Sequence, residues 1–275
     1  KAAQIAYDEG IAIPVLLGNK EDIRKLMKEI QFDADIVIID PKSDGEQERR
    51  NKFAQIYWEK RRRKGITLLE AQKWMRERNY FAAMMINENQ ADALVTGFTR
   101  SYPTVAKPMI DLIGKIKGIK RVAATNLMLT DRGPLFLSDT AMNIDPGANE
   151  LVEIARMTDK TMRLFGVVPH LAMVSFSNFG SSTSASAVKI HDAVEYLHQY
   201  YPKINIDGEL QADFALNESM RSDKFSFSRL QGKKVNGLIY PNLESANISY
   251  KLIKELHMAD SIGPIIMGLR KPAHL

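Results

Sequence analysis

The chain has 275 residues, 45% of them apolar and none of them cysteine. That length can bury one large core or two medium ones. The lack of cysteine excludes a disulfide scaffold, a Cys-based zinc site and cysteine catalysis, and it suits a cytoplasmic protein. The formal net charge of +5 fits phosphate-bearing ligands. Much of the excess sits in Lys60-Arg61-Arg62-Arg63-Lys64. No RNP-like aromatic motif, zinc finger or basic tail accompanies that run, so nucleic acid is not an expected partner. It reads either as a solvated helix end, where cations suit the dipole, or as a contact for a ligand phosphate. No apolar run approaches the roughly 18 to 20 residues of a membrane span, and no secretory segment is visible. The chain opens without Met and partway through a helical pattern (Ala2, Ile5, Ala6), so it reads as a piece of a longer protein.

In chain order, Ala12 to Leu17 predicts a strand closed by Gly18. Asn19 then caps a helix to about Ile30, with Ile23, Leu26 and Ile30 on one face. Asp35 to Asp40 predicts a short buried strand stopped by Pro41. Asp44 to Lys64 predicts a long charged helix, striped by Phe53, Ile56 and Tyr57 and ended by Gly65. Thr67 and Glu70 have capping-box spacing and open a helix to about Arg78. Another helix is predicted from Tyr80 to Asn89, in which Met84 and Met85, like Trp58 and Trp74, read as packing residues. Ala91 to Val95 predicts a strand, Thr96 to Pro103 a turn, and residues 104–113 a helix. The Gly114-Lys115-Ile116-Lys117-Gly118 connection marks a domain boundary.

Arg121 to Leu129 and Pro134 to Ser138 are spaced as a hairpin around Asp131-Arg132-Gly133. Asp145-Pro146 opens a helix to about Phe165. A buried strand follows at Leu171 to Val174 and leads into the serine-rich stretch Ser175 to Ser184, with Gly180 at a tight bend. Behind it, Val188, Ala193, Val194 and Leu197 give helical spacing to Gln199. A Gly/Ser loop between a strand's end and a helix's first turn presents N–H groups and hydroxyls to an anion; alternatively, its serines only cap the helix. Further strands are predicted at Ile204 to Glu209, Gly237 to Tyr240 and Gly263 to Met267, with a helix from Glu244 to Leu256. Strands alternating with helices predict α/β layers around a mostly parallel sheet, with ligands at the strands' carboxyl ends. The polar strand-end segments are Thr96 to Ser101, Ser138 to Asn143, Ser175 to Ser182, Asp207 to Asp213 and Asn242 to Asn247.

The standard chemical signatures fail. There is no Walker sequence, no G-x-G-x-x-G and no G-x-S-x-G nucleophile elbow. The five histidines make no metal-ligand spacing; His191 and His198, seven apart on one helix face, read as a surface pair. Asp207, Glu209 and Asp213 are the candidate carboxylates, of which Asp207 and Glu209 point the same way on a strand. They fit either an acid–base set or a turn cap.

Five segments, in this order and spacing, resemble the phosphate acetyltransferase/butyryltransferase family over nearly the whole length. They are Ser138-Asp139-Thr140-Ala141-Met142-Asn143-Ile144-Asp145-Pro146, the Ser175 to Ser182 loop, Asp207-Gly208-Glu209-Leu210-Gln211-Ala212-Asp213, Tyr240-Pro241-Asn242-Leu243-Glu244-Ser245-Ala246-Asn247-Ile248, and Gly263-Pro264-Ile265 to Gly268-Leu269-Arg270-Lys271-Pro272. Tyr80 to Met85, Thr96 to Pro103 and Gln211 to Leu216 look like the version fused to bacterial NADP-dependent malic enzymes. Free-standing enzymes usually carry a Gly-Ala-x-His-type turn where this chain has Gly97-Phe98-Thr99-Arg100.

The resemblance implies two three-layer α/β/α domains of the isocitrate/isopropylmalate dehydrogenase-like kind: residues 1–117, residues 118–268, and a return toward the first beginning at 269–275. It implies acetyl-CoA or a related thioester in a cleft, bound by Thr96, Gly97, Arg100, Ser101, Lys107, Ser177, Asn178, Gly180, Ser181, Asn247 and Lys271, with Arg62 against a coenzyme A phosphate. Lys107 stands where the enzymes have an arginine, and it offers a point charge rather than a fork. The enzymes' catalytic carboxylate, arginine and serine follow the Lys-Pro that matches Lys271-Pro272, so none of the 275 residues is assigned to catalysis. The implied role is a regulatory acetyl-CoA-binding domain of a malic enzyme, whose NADP and Mg or Mn belong to an upstream domain. The alternative is an active phosphate acetyltransferase. A homodimer or larger assembly is implied, and no membrane partner.

Overall fold

A computed structural model describes residues 1–97 and 102–275. The chain divides into two compact units, Lys1–Gly114 and Lys115–Leu275. Each is a mixture of helices and strands. No helix among the described residues is long and apolar enough to cross a membrane.

The first unit runs α1 (Ala2–Asp8), β1 (Val15–Leu17), α2 (Lys20–Glu29), β2 (Val37–Ile39), α3 (Gln47–Arg61), α4 (Leu68–Trp74), α5 (Arg78–Asn87), β3 (Leu94–Val95) and α6 (Tyr102–Pro108). β1 and β2 pair in parallel, Val15 opposite Val37, with α2 as the crossover that parallel strands require. The Asn19 side chain accepts from the Glu21 and Asp22 N–H groups and starts α2 where the sequence places it. α3 is shorter than the predicted 44–64 helix, because both ends tighten into 3₁₀ turns before Gly65 stops the chain at φ +83°. The predicted helix over 104–113 also changes form. It is α-helical only to Pro108 and π-helical over Met109–Ile113. Pro108 has no N–H to donate to the preceding turn, so the regular ladder breaks there.

The core of this unit lies between α3 and α5. Phe53, Ala54 and Tyr57 of α3 meet a helix whose residues 81–86 are all buried. The Phe53 and Phe81 rings pack at 5.2 Å. Met84 and Met85 are accordingly packing residues.

The second unit holds β4 (Ala123–Thr130), β5 (Gly133–Ser138), α7 (Ala148–Leu164), β6 (Leu171–Val174), α8 (Ala185–Tyr200), β7 (Ile206–Leu210), α9 (Ala212–Leu216), α10 (Glu218–Lys224), β8 (Gly237–Ile239), α11 (Leu243–Glu255) and β9 (Ala259–Met267). Six strands form one sheet in the order β7-β6-β8-β5-β4-β9. The run from β5 to β7 is parallel; β4 is antiparallel to both β5 and β9. The hairpin closes through Asp131-Arg132, between paired Thr130 and Gly133. β9 is longer than its predicted stretch because it pairs with β4 along its length.

Helices cover both faces of the sheet, giving three layers. Leu171 and Met173 of β6 pack with α7 and α8, whereas Ala172 and Val174 face the core that includes Ala215 and Ala246. A strand buried on both sides reads as a continuous apolar run. The short helices α9 and α10 have no clear periodicity, and a tertiary contact holds them. Arg221, fully buried, donates to the carbonyl oxygens of Phe214, Ala215, Leu230 and Lys233.

Candidate functional site

Because β5, β8, β6 and β7 are parallel, their carboxyl ends open onto one edge of the second unit. Four of the polar segments marked in the sequence gather there. The Asn247 amide donates to the Thr140 carbonyl oxygen at 3.2 Å, and the Leu243 N–H to Ile144 at 2.9 Å. On the other side, the Gln211 N–H and side-chain amide donate to Asn178 Oδ1 and the Phe176 carbonyl oxygen. The segment after β5 is built around Asp139. Its buried carboxylate accepts the N–H groups of Ala124, Ala141, Met142 and Asn143 and the Asn143 amide. Burial raises the Asp139 carboxyl above the ordinary range, against the lowering pull of these donors. Asp139 shapes this wall from within.

The serine loop after β6 is organised by a second buried carboxylate. Glu209 Oε1 accepts the Gly180 N–H at 2.5 Å and the Ser177 hydroxyl at 3.1 Å. The Ser177 proton thus points to Glu209. The hydroxyl of Ser181, 3.0 Å from Ser177 Oγ, then donates to Ser177 and accepts the Asn178 N–H. The remaining N–H groups of the loop are engaged too. Ser177 donates to Ser175 Oγ, Phe179 to the Glu209 carbonyl, Ser181 to the Asn178 carbonyl and Ser182 to Ser177 Oγ. The N–H groups of residues 177–182 are therefore all engaged within the protein, where the sequence suggested a cradle open to an anion. Ser184 caps α8 through Ala187, as the capping alternative allowed.

Glu209 reaches the loop because β7 bulges. Met173 pairs with Gly208 and Val174 with Leu210, leaving Glu209 as the extra residue. Asp207 serves a neighbouring turn, accepting the Ser228 hydroxyl and Arg229 N–H at 2.7 Å each. Each carboxylate also lies near a histidine of α8, although the bulge breaks the regular alternation between them. His198 Nε2 is 3.8 Å from Asp207 Oδ1, and His191 Nδ1 is 3.8 Å from Glu209 Oε2. The two histidines are thus not merely a surface pair. Seven residues apart, the two histidines lie on one face of α8, each near one of the carboxylates.

In the first unit, a cavity of about 240 Å³ opens at the ends of β1 and β3 beside the start of α5. Its lining includes Thr96 and Gly97, both marked in the sequence, and Arg78 and Asn79, which were not. The Thr96 hydroxyl donates to Asn79 Oδ1 at 3.0 Å. The Arg78 guanidinium lies beside Gly18. Lys107 holds its ammonium 5.6 Å from the Trp74 ring centre, and Arg62 lies over Trp58 at 5.3 Å. Arg100 and Ser101 lie outside the described residues. Lys271 is half-buried in the second unit. No group of three or more His, Asp or Glu side chains among the described residues is placed to hold a metal ion.

The sequence profile of the family described as Phosphate acetyl/butaryl transferase matches residues 1–275. The chain is 36% identical to an NADP-dependent malic enzyme of Haemophilus influenzae over 279 residues, covering all of this chain and 36% of that protein. It is also 36% identical to a phosphate acetyltransferase of Thermoanaerobacterium thermosaccharolyticum, covering all of this chain and 84% of that protein. Among solved structures, a phosphotransacetylase from Streptococcus pyogenes superposes with a TM-score of 0.88 at 34% identity, over 99% of this chain and 82% of the other. With the parallel-edged sheet and its strand-end segments, these matches establish that the chain belongs to the phosphate acetyl/butaryl transferase family.

Proposed function

We propose that this phosphotransacetylase-like domain binds acetyl-CoA and regulates a malic enzyme of which it forms part, without transferring acyl groups itself. The observation that carries this reading is the setting of Lys107. The position that the family resemblance gives to an arginine holds a lysine whose ammonium faces the Trp74 ring. A point charge over an indole keeps a binding cation in place but lacks the planar fork that would stabilise charge on a transferring acyl phosphate. The polar cavity at Thr96 and Gly97 and the serine-rich edge of the second unit suit a ligand with several polar groups. NADP, a divalent metal and malate would be matters for the rest of the longer protein.

A second reading, an active phosphate acetyltransferase, is favoured by the 84% coverage of the Thermoanaerobacterium enzyme. One pair of assays on the natural full-length protein separates the two. The regulatory reading expects millimolar acetyl-CoA to lower malate-dependent NADP reduction several-fold, with no thiol consumed from coenzyme A and acetyl phosphate. Malate turnover indifferent to acetyl-CoA would defeat it, and steady thiol consumption would establish the transferase instead.

A further inference from the structure

We propose that Glu209 is the positioning residue of the ligand site at the serine loop, acting through a relay of hydrogen bonds rather than by touching the ligand. The inference rests on the acetyl-CoA-binding reading above and assigns a part in it to a residue that the sequence left between acid–base chemistry and turn capping.

The geometry argues against an acid–base role. Glu209 is 1% exposed, and its Oε1 is fully engaged by the Gly180 N–H and the Ser177 hydroxyl. The relay Asn178 N–H to Ser181 Oγ, Ser181 to Ser177 Oγ and Ser177 to Glu209 runs one way, because Ser177 gives its one hydroxyl proton to Glu209 and so accepts from Ser181. Its effect is to fold residues 177–182 onto β7 and to aim what is left outward. The Asn178 side-chain nitrogen, the hydroxyls of Ser182 and Thr183, and the first turn of the 16-residue helix α8 then form the outer lip of the loop. A polar ligand meets this lip, not Ser177 or the Gly180 N–H.

The second carboxylate oxygen explains which substitution should be tolerated. Oε2 is buried and makes no hydrogen bond among the described residues; the His191 imidazole nitrogen is 3.8 Å away. Glutamine can keep the Oε1 contacts and turn its amide nitrogen toward His191, so the relay survives without the charge. Alanine removes the acceptor on which the relay ends.

The test uses the natural full-length protein with acetyl-CoA as the probe, followed by calorimetric titration and by amide exchange across residues 177–188. Wild type should bind acetyl-CoA and gain protection in that segment. Glu209→Ala should bind at least tenfold more weakly, with its thermal midpoint within a few degrees of wild type and faster exchange at residues 177–182 before ligand is added. Glu209→Gln should restore binding to within about threefold, which a requirement for the charge would not allow. Wild-type affinity in Glu209→Ala overturns the inference, as does a Glu209→Gln variant as weak as the alanine. If Glu209→Ala does not fold, Ser177→Ala carries the test, since it cuts the relay and leaves the carboxylate. Binding should then weaken at least fivefold, and unchanged binding overturns the inference. A wild-type protein that neither binds acetyl-CoA nor gains protection brings down the functional reading, and this inference with it.

Discussion

At Gly208 the backbone takes φ +149°, and an added Cβ would lie 2.6 Å from the Met173 carbonyl oxygen. The next residue is the bulged Glu209, so this one glycine sets both the spacing of β7 against β6 and the aim of the carboxylate. Alanine there must adopt a disfavoured conformation and push back the neighbouring strand. It should cost at least about 1 kcal/mol and loosen the serine loop along with the fold. A denaturant midpoint for Gly208→Ala equal to that of wild type would show that the strand yields without strain. The same residue scale explains why Asp207 and Glu209 were ambiguous in the sequence. Each is a buried carboxylate that ends a hydrogen-bonded turn, and which turn depends on partners about 20 to 30 residues away.

Among the elements, α4 shows a local rule realised in full. Thr67 accepts from the Glu70 N–H, while Glu70 accepts from the Thr67 N–H and hydroxyl. Those bonds lower the Glu70 pKa. A carboxylate lowered in the fold contributes stability above its unfolded pKa, near 4.3, and loses it as pH falls through the folded value. Thr67→Ala should therefore cost about 1 kcal/mol at neutral pH and progressively less below about pH 4. Chemical denaturation of both proteins at pH 7 and pH 3.5 checks this, and an equal cost at both would refute the sign. The capping box at Thr67, the hairpin and the helix after Asn19 were legible because each rests on neighbours in sequence. The 3₁₀ ends of α3, the π turn after Pro108 and the pair α9 and α10 were not. Arg221 binds four carbonyls up to 12 residues away, a contact that follows neither the helical nor the strand period.

For the whole molecule, the buried phenols of Tyr57 and Tyr240 and the half-buried one of Tyr80 set a limit on the alkaline side. Burial raises the pKa of Tyr57, Tyr80 and Tyr240, first by desolvation and, for Tyr57 and Tyr80, also by the nearby Asp111 carboxylate. A raised folded pKa means stability that is complete below the unfolded value of about 10 and is lost as pH climbs through the folded values. The thermal midpoint should stay level from pH 7 to 9 and fall above about pH 10, with part of the tyrosinate absorbance appearing only on unfolding. Tyr57→Phe should blunt that fall. The Tyr57 ring packs against that of Tyr80, and losing one hydroxyl there should alter neutral-pH stability by no more than about 1 kcal/mol. A midpoint unchanged to pH 11.5 would contradict the assignment.

The sequence by itself determined the α/β class, the order of most elements, the hairpin, the caps and the family, since these rest on local pattern and on motifs spaced along one chain. It also marked which polar segments end the parallel strands, because strand direction follows from the alternation of strands and helices. Only the tertiary structure decided what those segments do. The serine loop read as a row of free donors, yet its N–H groups are bonded within the protein, and the Gly180 N–H and Ser177 hydroxyl go to Glu209, a carboxylate 32 residues beyond Ser177. Hydrogen bonds between residues so distant in sequence are fixed by strand order and by the bulge in β7. Neither leaves a period for the sequence to show.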